Sequence, residues 1–137
     1  MRFLLLCLAV FFGGLLLPAT STSLLAQSIR YVKPVATGTG DGSSWANASA
    51  NLQAMMNNSV FNDEVHVAQG LYYPTLDEAG NTNNGNPRRR TFTVPTGIRL
   101  RGGYAGSGSN PNLRFTNPSS TTLSGDIGGA GNVADNA

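Results

Sequence analysis

The stretch "NDEVHVAQGLYYP", residues 62–74, decides how the chain is read. Val65 and Val67 alternate with Glu64 and His66, a period of two that sets an apolar face against a polar one on a short strand. Gly70 and Pro74 close that strand, because glycine loosens a ladder and proline brings no N–H to it. Just upstream the period changes. Leu52, Met55, Met56 and Val60 follow the i, i+3, i+4, i+8 spacing of one apolar helical stripe. Asn47 or Ser49 is placed to cap that helix, and Asn57, Asn58 and Asn62 are poor helix formers that end it.

Working outward, "SIRYVKPV" (28–35) reads as a strand stopped by Pro34, with Ile29 and Tyr31 on one side and Arg30 and Val32 on the other. "TFTV" (91–94) and "GIRLRGGY" (97–104) alternate again, with Pro95, Thr96 and Gly97 as a corner between them. "TTLSGDIGG" (121–129) supplies a last short strand. The runs 75–90 and 105–120 are polar loops without apolar periodicity. The glycine-rich "ATGTGDGSS" (36–44) is a loop and not a phosphate cradle, since no Lys-Ser/Thr pair follows its glycines.

The N-terminus has the order of a secretory leader: Arg2, an almost wholly apolar run from Phe3 to Leu17, then Pro18 and the small-residue stretch "ATSTSLLAQ". Cleavage is expected after Ala26, with Ser21 as the second candidate, which gives residues 1–26 as signal peptide and an exported product at or outside the cell surface. The apolar run is short for a membrane span, so no integral membrane protein is expected after cleavage. The one cysteine, Cys7, leaves with the leader, and the remaining basic and acidic residues nearly balance. That balance speaks against nucleic acid as a partner. Residues 27–128 are read as one folded unit. The glycine-rich tail 129–137 has no apolar closing segment, which suggests a truncated product.

Candidate chemistry is sparse. His66 shares a strand face with Glu64, and Arg99 and Arg101 share the outward face of the strand at 99–104, so His66, Arg99 and Arg101 are the candidate ligand-binding residues. No residue is nominated as catalytic: a glycosidase needs paired carboxylates at a set distance, and the acids are scattered. No metal site is nominated either. Calcium is the one cofactor the acids leave open, through Asp41 in "GTGDGSSW", but the repeated acidic positions of a calcium loop are missing, and an aspartate shaping a turn is the plainer reading. Arg88, Arg89 and Arg90 form the densest charge run, in a polar loop where solvation is the default. Tyr72, Tyr73 and Tyr104 either stack on sugars or pack at strand corners.

Val65, Ile98 and Leu123 each centre a strand ended by glycine, recurring at intervals of roughly 25 to 33 residues, as in a solenoid of stacked coils. A β-sandwich fragment or a loosely ordered chain remains open on spacing alone. The series "YVKPVATGTGDGSSWANASANLQAMM…NDEVHVAQGLYYP…RTFTVPTGIRLRGGYAG…TTLSGDIG" resembles the N-terminal region of secreted right-handed parallel β-helix proteins of the pectin-lyase-like class, of the kind found in Bacteroidetes-type bacteria. The resemblance implies an all-β solenoid segment with a short N-terminal capping α-helix. In it Leu52, Met55, Met56 and Val60 would cover Val65, Val67 and Ile98, and Trp45 would seal the rim. It further implies a structural or carbohydrate-binding role toward polysaccharide or cell-surface glycan. The alternative is the N-terminal part of a polysaccharide lyase or glycoside hydrolase whose active-site coils are missing.

Overall fold

The computed structural model describes residues 26–77, 79–82 and 86–127. The expected leader, apart from Ala26, and the tail 129–137 lie outside the described residues. In chain order the elements are β1 (Ile29–Val32), α1 (Leu52–Asn57), β2 (Glu64–Ala68), β3 (Gly70–Tyr72), β4 (Arg99–Tyr104) and β5 (Thr121–Leu123). Single 3-10 turns occupy Trp45–Asn47, Pro87–Arg89 and Pro118–Ser120.

The named strands pair in parallel, and an isolated antiparallel bridge joins Tyr104 to Arg114. β1, β2 and β4 form one sheet in that order, and β3 and β5 form a second. In the first sheet Ile29, Glu64 and Arg99 stand in one row, and Tyr31, His66 and Arg101 in another. Between them runs the row Arg30, Val65, Leu100, on the opposite face. Only Gln69 separates β2 from β3, and Gly70, at φ 144°, turns the chain from one sheet into the other. A Cβ there would strike the ring of Pro34, so the corner needs glycine on two counts.

This overturns the expected all-β parallel β-helix. The described residues form a small mixed domain with two short parallel sheets, and among them no closed coil is present. The physical reason lies in the connections. The segment expected as a strand at 91–94 is not one. Instead the buried amide of Gln53 takes its backbone: Thr93 N–H donates to Gln53 Oε1 at 2.8 Å, and Gln53 Nε2 donates to Thr93 O at 2.8 Å. The described residues of 73–98 and 105–118 contribute no named strand. Nor do the three spaced strands make one stack, since Val65 pairs with Leu100 while Leu123 pairs with Tyr72 in the other sheet.

The main core gathers Val32, Leu52, Met55, Met56, Val65, Val67 and Tyr72, with Phe92, Ile98 and Leu100 packed against it. α1 is capped by Asn51, whose side chain accepts the N–H of Ala54 at 3.0 Å; neither Asn47 nor Ser49 is the cap. Its stripe Leu52, Met55 and Met56 is buried, each side chain contributing about 1.5–3 kcal/mol. Val60 is not part of that stripe. The helix stops at Asn57, Asn62 takes φ 78°, and Val60 is left 57% exposed. Asp63 then fastens the junction, its Oδ1 and Oδ2 accepting the N–H groups of Ser28 and Val60, each at 2.9 Å. Those bonds, Val60 first, hold its carboxyl below the usual aspartate range.

The glycine-rich loop crosses the free side of β1. Tyr31 N–H donates to Gly42 O, Ser49 N–H to Tyr31 O and Lys33 N–H to Ser49 O, at 2.9 to 3.0 Å. That edge of the sheet is thereby closed. Gly42 holds φ 76° with the Met55 sulfur against it, leaving no room for a side chain.

Candidate functional site

The site is the outer face of β2 and β4, where the rows Glu64–Arg99 and His66–Arg101 run side by side. Parallel pairing puts the acid Glu64 beside Arg99 in one row and His66 beside Arg101 in the next, so one carboxylate serves both rows. Glu64 is the hub. Its Oε2 lies 2.9 Å from His66 Nε2 and 3.0 Å from Arg101 Nε, and its Oε1 lies 3.6 Å from an Arg99 terminal amine. The Glu64 side chain is 12% exposed, against 54% for Arg99 and 44% for Arg101. The His66 hydrogen bond, and after it the Arg101 charge, hold the Glu64 carboxyl below the usual range despite burial.

The polar face of β2 is half roofed by aromatic rings. His66 is buried and stacks on Tyr104, ring centroids 4.4 Å apart and planes 17° from parallel. Tyr31 meets His66 and Trp45 edge-on, and Trp45 leans on Tyr104 at 5.7 Å. Trp45 Nε1 donates to Asn112 Oδ1 at 2.8 Å, which ties the loop 105–114 over the cluster. Trp45 therefore does not seal the main core. It packs with Ala48, Ala68 and Tyr104 in a second cluster across the sheet. The Arg114 guanidinium lies 5.4 Å from the Tyr104 ring centre, within cation–π range. The Tyr104 hydroxyl sits 3.3 Å from His66 Nε2, and burial pushes its ionisation up.

Of the three candidate residues, Arg99 and Arg101 come together at the surface, while His66 lies beneath them and positions Glu64. His66 Nδ1 is buried with no hydrogen-bond partner. Of the other candidates Tyr104 belongs to this cluster, whereas Asp41, Arg90 and Tyr72 make their hydrogen bonds elsewhere. Asp41 accepts from Ser43 N–H and the Thr39 hydroxyl, shaping its turn, and those bonds, Ser43 foremost, lower its carboxyl. Arg88 and Arg89 are exposed on their 3-10 turn, and Arg90 donates to Thr82 O. Tyr72 is buried, its hydroxyl on Ala68 O at 3.0 Å, and burial raises its ionisation far above the ordinary phenol value. Among the described residues no three His, Cys, Asp or Glu side chains stand close enough to hold a metal ion. Among them, too, no helix is long and apolar enough to cross a membrane.

Chemically the face offers two exposed guanidiniums over one shared carboxylate. Such a face can accept an anion, since it presents hydrogen-bond donors in fork geometry and an excess of positive charge. The sequence showed Arg99 and Arg101 two apart on a strand. It did not show that Glu64 would stand beside both, since that depends on register, nor that Tyr31, Trp45 and Tyr104 would converge on His66. Comparison with protein-family models, with curated proteins and with solved structures finds no match to this chain. The geometry alone therefore defines the class: a small parallel-sheet domain with a cationic outer face.

Proposed function

We propose that this chain is an exported, non-catalytic binding module that holds an acidic polysaccharide or cell-surface glycan through Arg99 and Arg101. The observation that carries the reading is the pair of half-exposed guanidiniums on one strand face, backed by a single buried-side carboxylate. Glu64 and His66 hold the arginines in place and do not meet the ligand. A uronate carboxylate matches a guanidinium in shape and charge, and successive uronates along a chain can engage both arginines. Export is supported by Arg2, the apolar run that follows it and the small residues before Gln27.

The test is affinity electrophoresis and calorimetry with polygalacturonate, alginate and neutral glucans. Uronate polymers are expected to bind with an affinity that falls as salt rises, neutral glucans not at all, and Arg99→Ala or Arg101→Ala to weaken binding at least about fivefold, near 1 kcal/mol. Equal binding of neutral and acidic polymers overturns the reading. So does calcium-dependent formation of unsaturated sugar ends, which would identify a lyase instead. N-terminal sequencing of secreted protein should return Gln27; Met1 or Arg2 would contradict export by cleavage.

A further inference from the structure

The two edges of the three-stranded sheet are treated differently. The β1 edge is closed by the chain's own residues 42–49, as described above. β4 is the opposite edge, and β5 is the edge of the second sheet. They lie side by side, with Gly103 N–H donating to the Thr121 hydroxyl at 2.8 Å. Arg114 and Phe115 cover the far half of β4: Arg114 Nε donates to Gly102 O at 3.1 Å, and Phe115 N–H donates to Gly103 O at 2.7 Å. Arg99 N–H is turned inward onto Asp63 O, so within 99–101 the outward peptide groups are those of Leu100, and among the described residues nothing hydrogen-bonds to them. Beside that open stretch is a cleft of about 560 Å³ whose lining includes Val67, Leu100, Phe115 and Leu123. Phe115 and Leu123 are 38% and 41% exposed, large apolar groups without cover.

An open strand edge specifies its occupant, because only another extended backbone satisfies a row of N–H and C=O groups. The rows specify its side chains. A residue placed beside Arg99 or Arg101 faces a guanidinium on the outer side, as Glu64 does from β2. A residue placed beside Leu100 faces the apolar cleft. We propose that the β4 edge takes a further parallel strand in trans: an extended segment of a partner protein with an acidic–aliphatic–acidic pattern, its acids on Arg99 and Arg101 and its aliphatic side chain in the cleft beside Leu100 and Leu123. A second copy of this chain fits less well, since two β4 edges meeting about a two-fold axis bring arginines against arginines. This goes beyond glycan binding, which uses the outer face alone and not the cleft.

The probes are a capped alternating heptapeptide, Glu-Val-Glu-Val-Glu-Val-Glu, its block isomer Glu-Glu-Glu-Glu-Val-Val-Val, and an alternating Lys/Val peptide, added to the full chain. Affinity is followed by calorimetry, and the contact by amide shifts in NMR spectra. The alternating acidic peptide is expected to bind at least tenfold tighter than its isomer, with shifts centred on 98–103 and 121–124, and the Lys/Val peptide not to bind. Arg99→Glu should reverse the preference toward Lys/Val. Leu123→Asp should abolish peptide binding while leaving polygalacturonate binding unchanged, which separates this proposal from the glycan reading. Trp45 emission confirms that each variant is folded. Equal affinity for the two isomers, shifts away from β4 and β5, or self-association through this edge in place of peptide binding would overturn the proposal.

Discussion

Replacing Asp63 by asparagine tests how the domain is fastened, because the change keeps size and shape and alters only which atoms accept. Asp63 is 2% exposed, and each carboxylate oxygen takes one backbone N–H, from Ser28 at the start of β1 and Val60 after α1. An asparagine has one oxygen. Its amide nitrogen must then face the other N–H, leaving two donors pointed at each other in a buried place. A hydrogen bond to a charged acceptor contributes about 1.5–3 kcal/mol, and a stranded buried donor costs about 1–3 kcal/mol. The two overlap, so Asp63→Asn should cost about 2–4 kcal/mol, a large part of the roughly 5–15 kcal/mol that holds a small domain. Urea unfolding followed through Trp45, the only tryptophan, reads this directly. At a slope of about 1–2 kcal/mol per molar urea the midpoint should fall by at least 1 M, roughly.

The same variant has a pH signature. The folded carboxyl titrates below its unfolded value because the backbone bonds from Val60 and Ser28 favour the anion. A depressed acid stabilises fully above its unfolded pKa, about 4, and that stability is lost as pH falls through the lower folded value. Asparagine never has this contribution. The gap between native protein and variant should therefore be widest near neutral pH and narrow on acidification. Both proteins retain some acid sensitivity from Asp41 and Glu64, whose carboxyls are also lowered. A midpoint unchanged near neutrality, or a gap that stays constant down to about pH 3, would refute the argument.

Other substitutions probe the remaining parts. Met56, with no exposed surface, should cost about 2–5 kcal/mol as Met56→Ala by calorimetric unfolding, and Met56→Asp should prevent folding at ordinary temperature. Gln53→Met keeps the volume but abandons both bonds to Thr93, so about 1–3 kcal/mol should be lost, with hydrogen exchange quickening at Thr93. Glu64→Gln removes the charge that Arg99 and Arg101 share, so affinity for polygalacturonate should rise a few-fold while the unfolding midpoint falls; unchanged affinity would mean that the carboxylate does not compete with the ligand.

The short-range periods were legible and the long-range partners were not. Val65 and Val67 did turn inward and Glu64 and His66 the other way, because alternation is a property of a strand by itself. The helical stripe of Leu52, Met55 and Met56 was readable for the same reason. The asparagines expected to end the helix do so at Asn57, but Val60 was wrongly counted in the stripe, since apolar spacing alone carries the pattern past the point where the helix stops. Gln53 gave no signal at all. A glutamine beside an apolar stripe reads as solvated, and only the approach of Thr93, forty positions away, makes it a buried partner. The same limit produced the error in fold. Regularly spaced strands are compatible with one closed stack or with two small sheets, and the choice depends on the one-residue corner at Gln69 and on which strand β5 joins.

The candidate site shows why a charge pair can be read from sequence while its consequence cannot. Arg99 and Arg101 must share a face if residues 99–104 are a strand. Whether they form a binding surface depends on what lies in the neighbouring row. Had the register of β2 against β4 slipped by one residue, Val65 and Val67 would stand where Glu64 and His66 do, and the arginines would border an apolar row with no counter-charge. The observed register gives them one carboxylate and one buried imidazole, enough to orient both guanidiniums and too little to neutralise them. That surplus of charge, held on a strand whose outer edge is open, is what the anionic sugar and the acidic peptide are each proposed to satisfy. The two differ in a measurable way: the sugar needs only the outer face, and the peptide needs the cleft beside Leu100 as well.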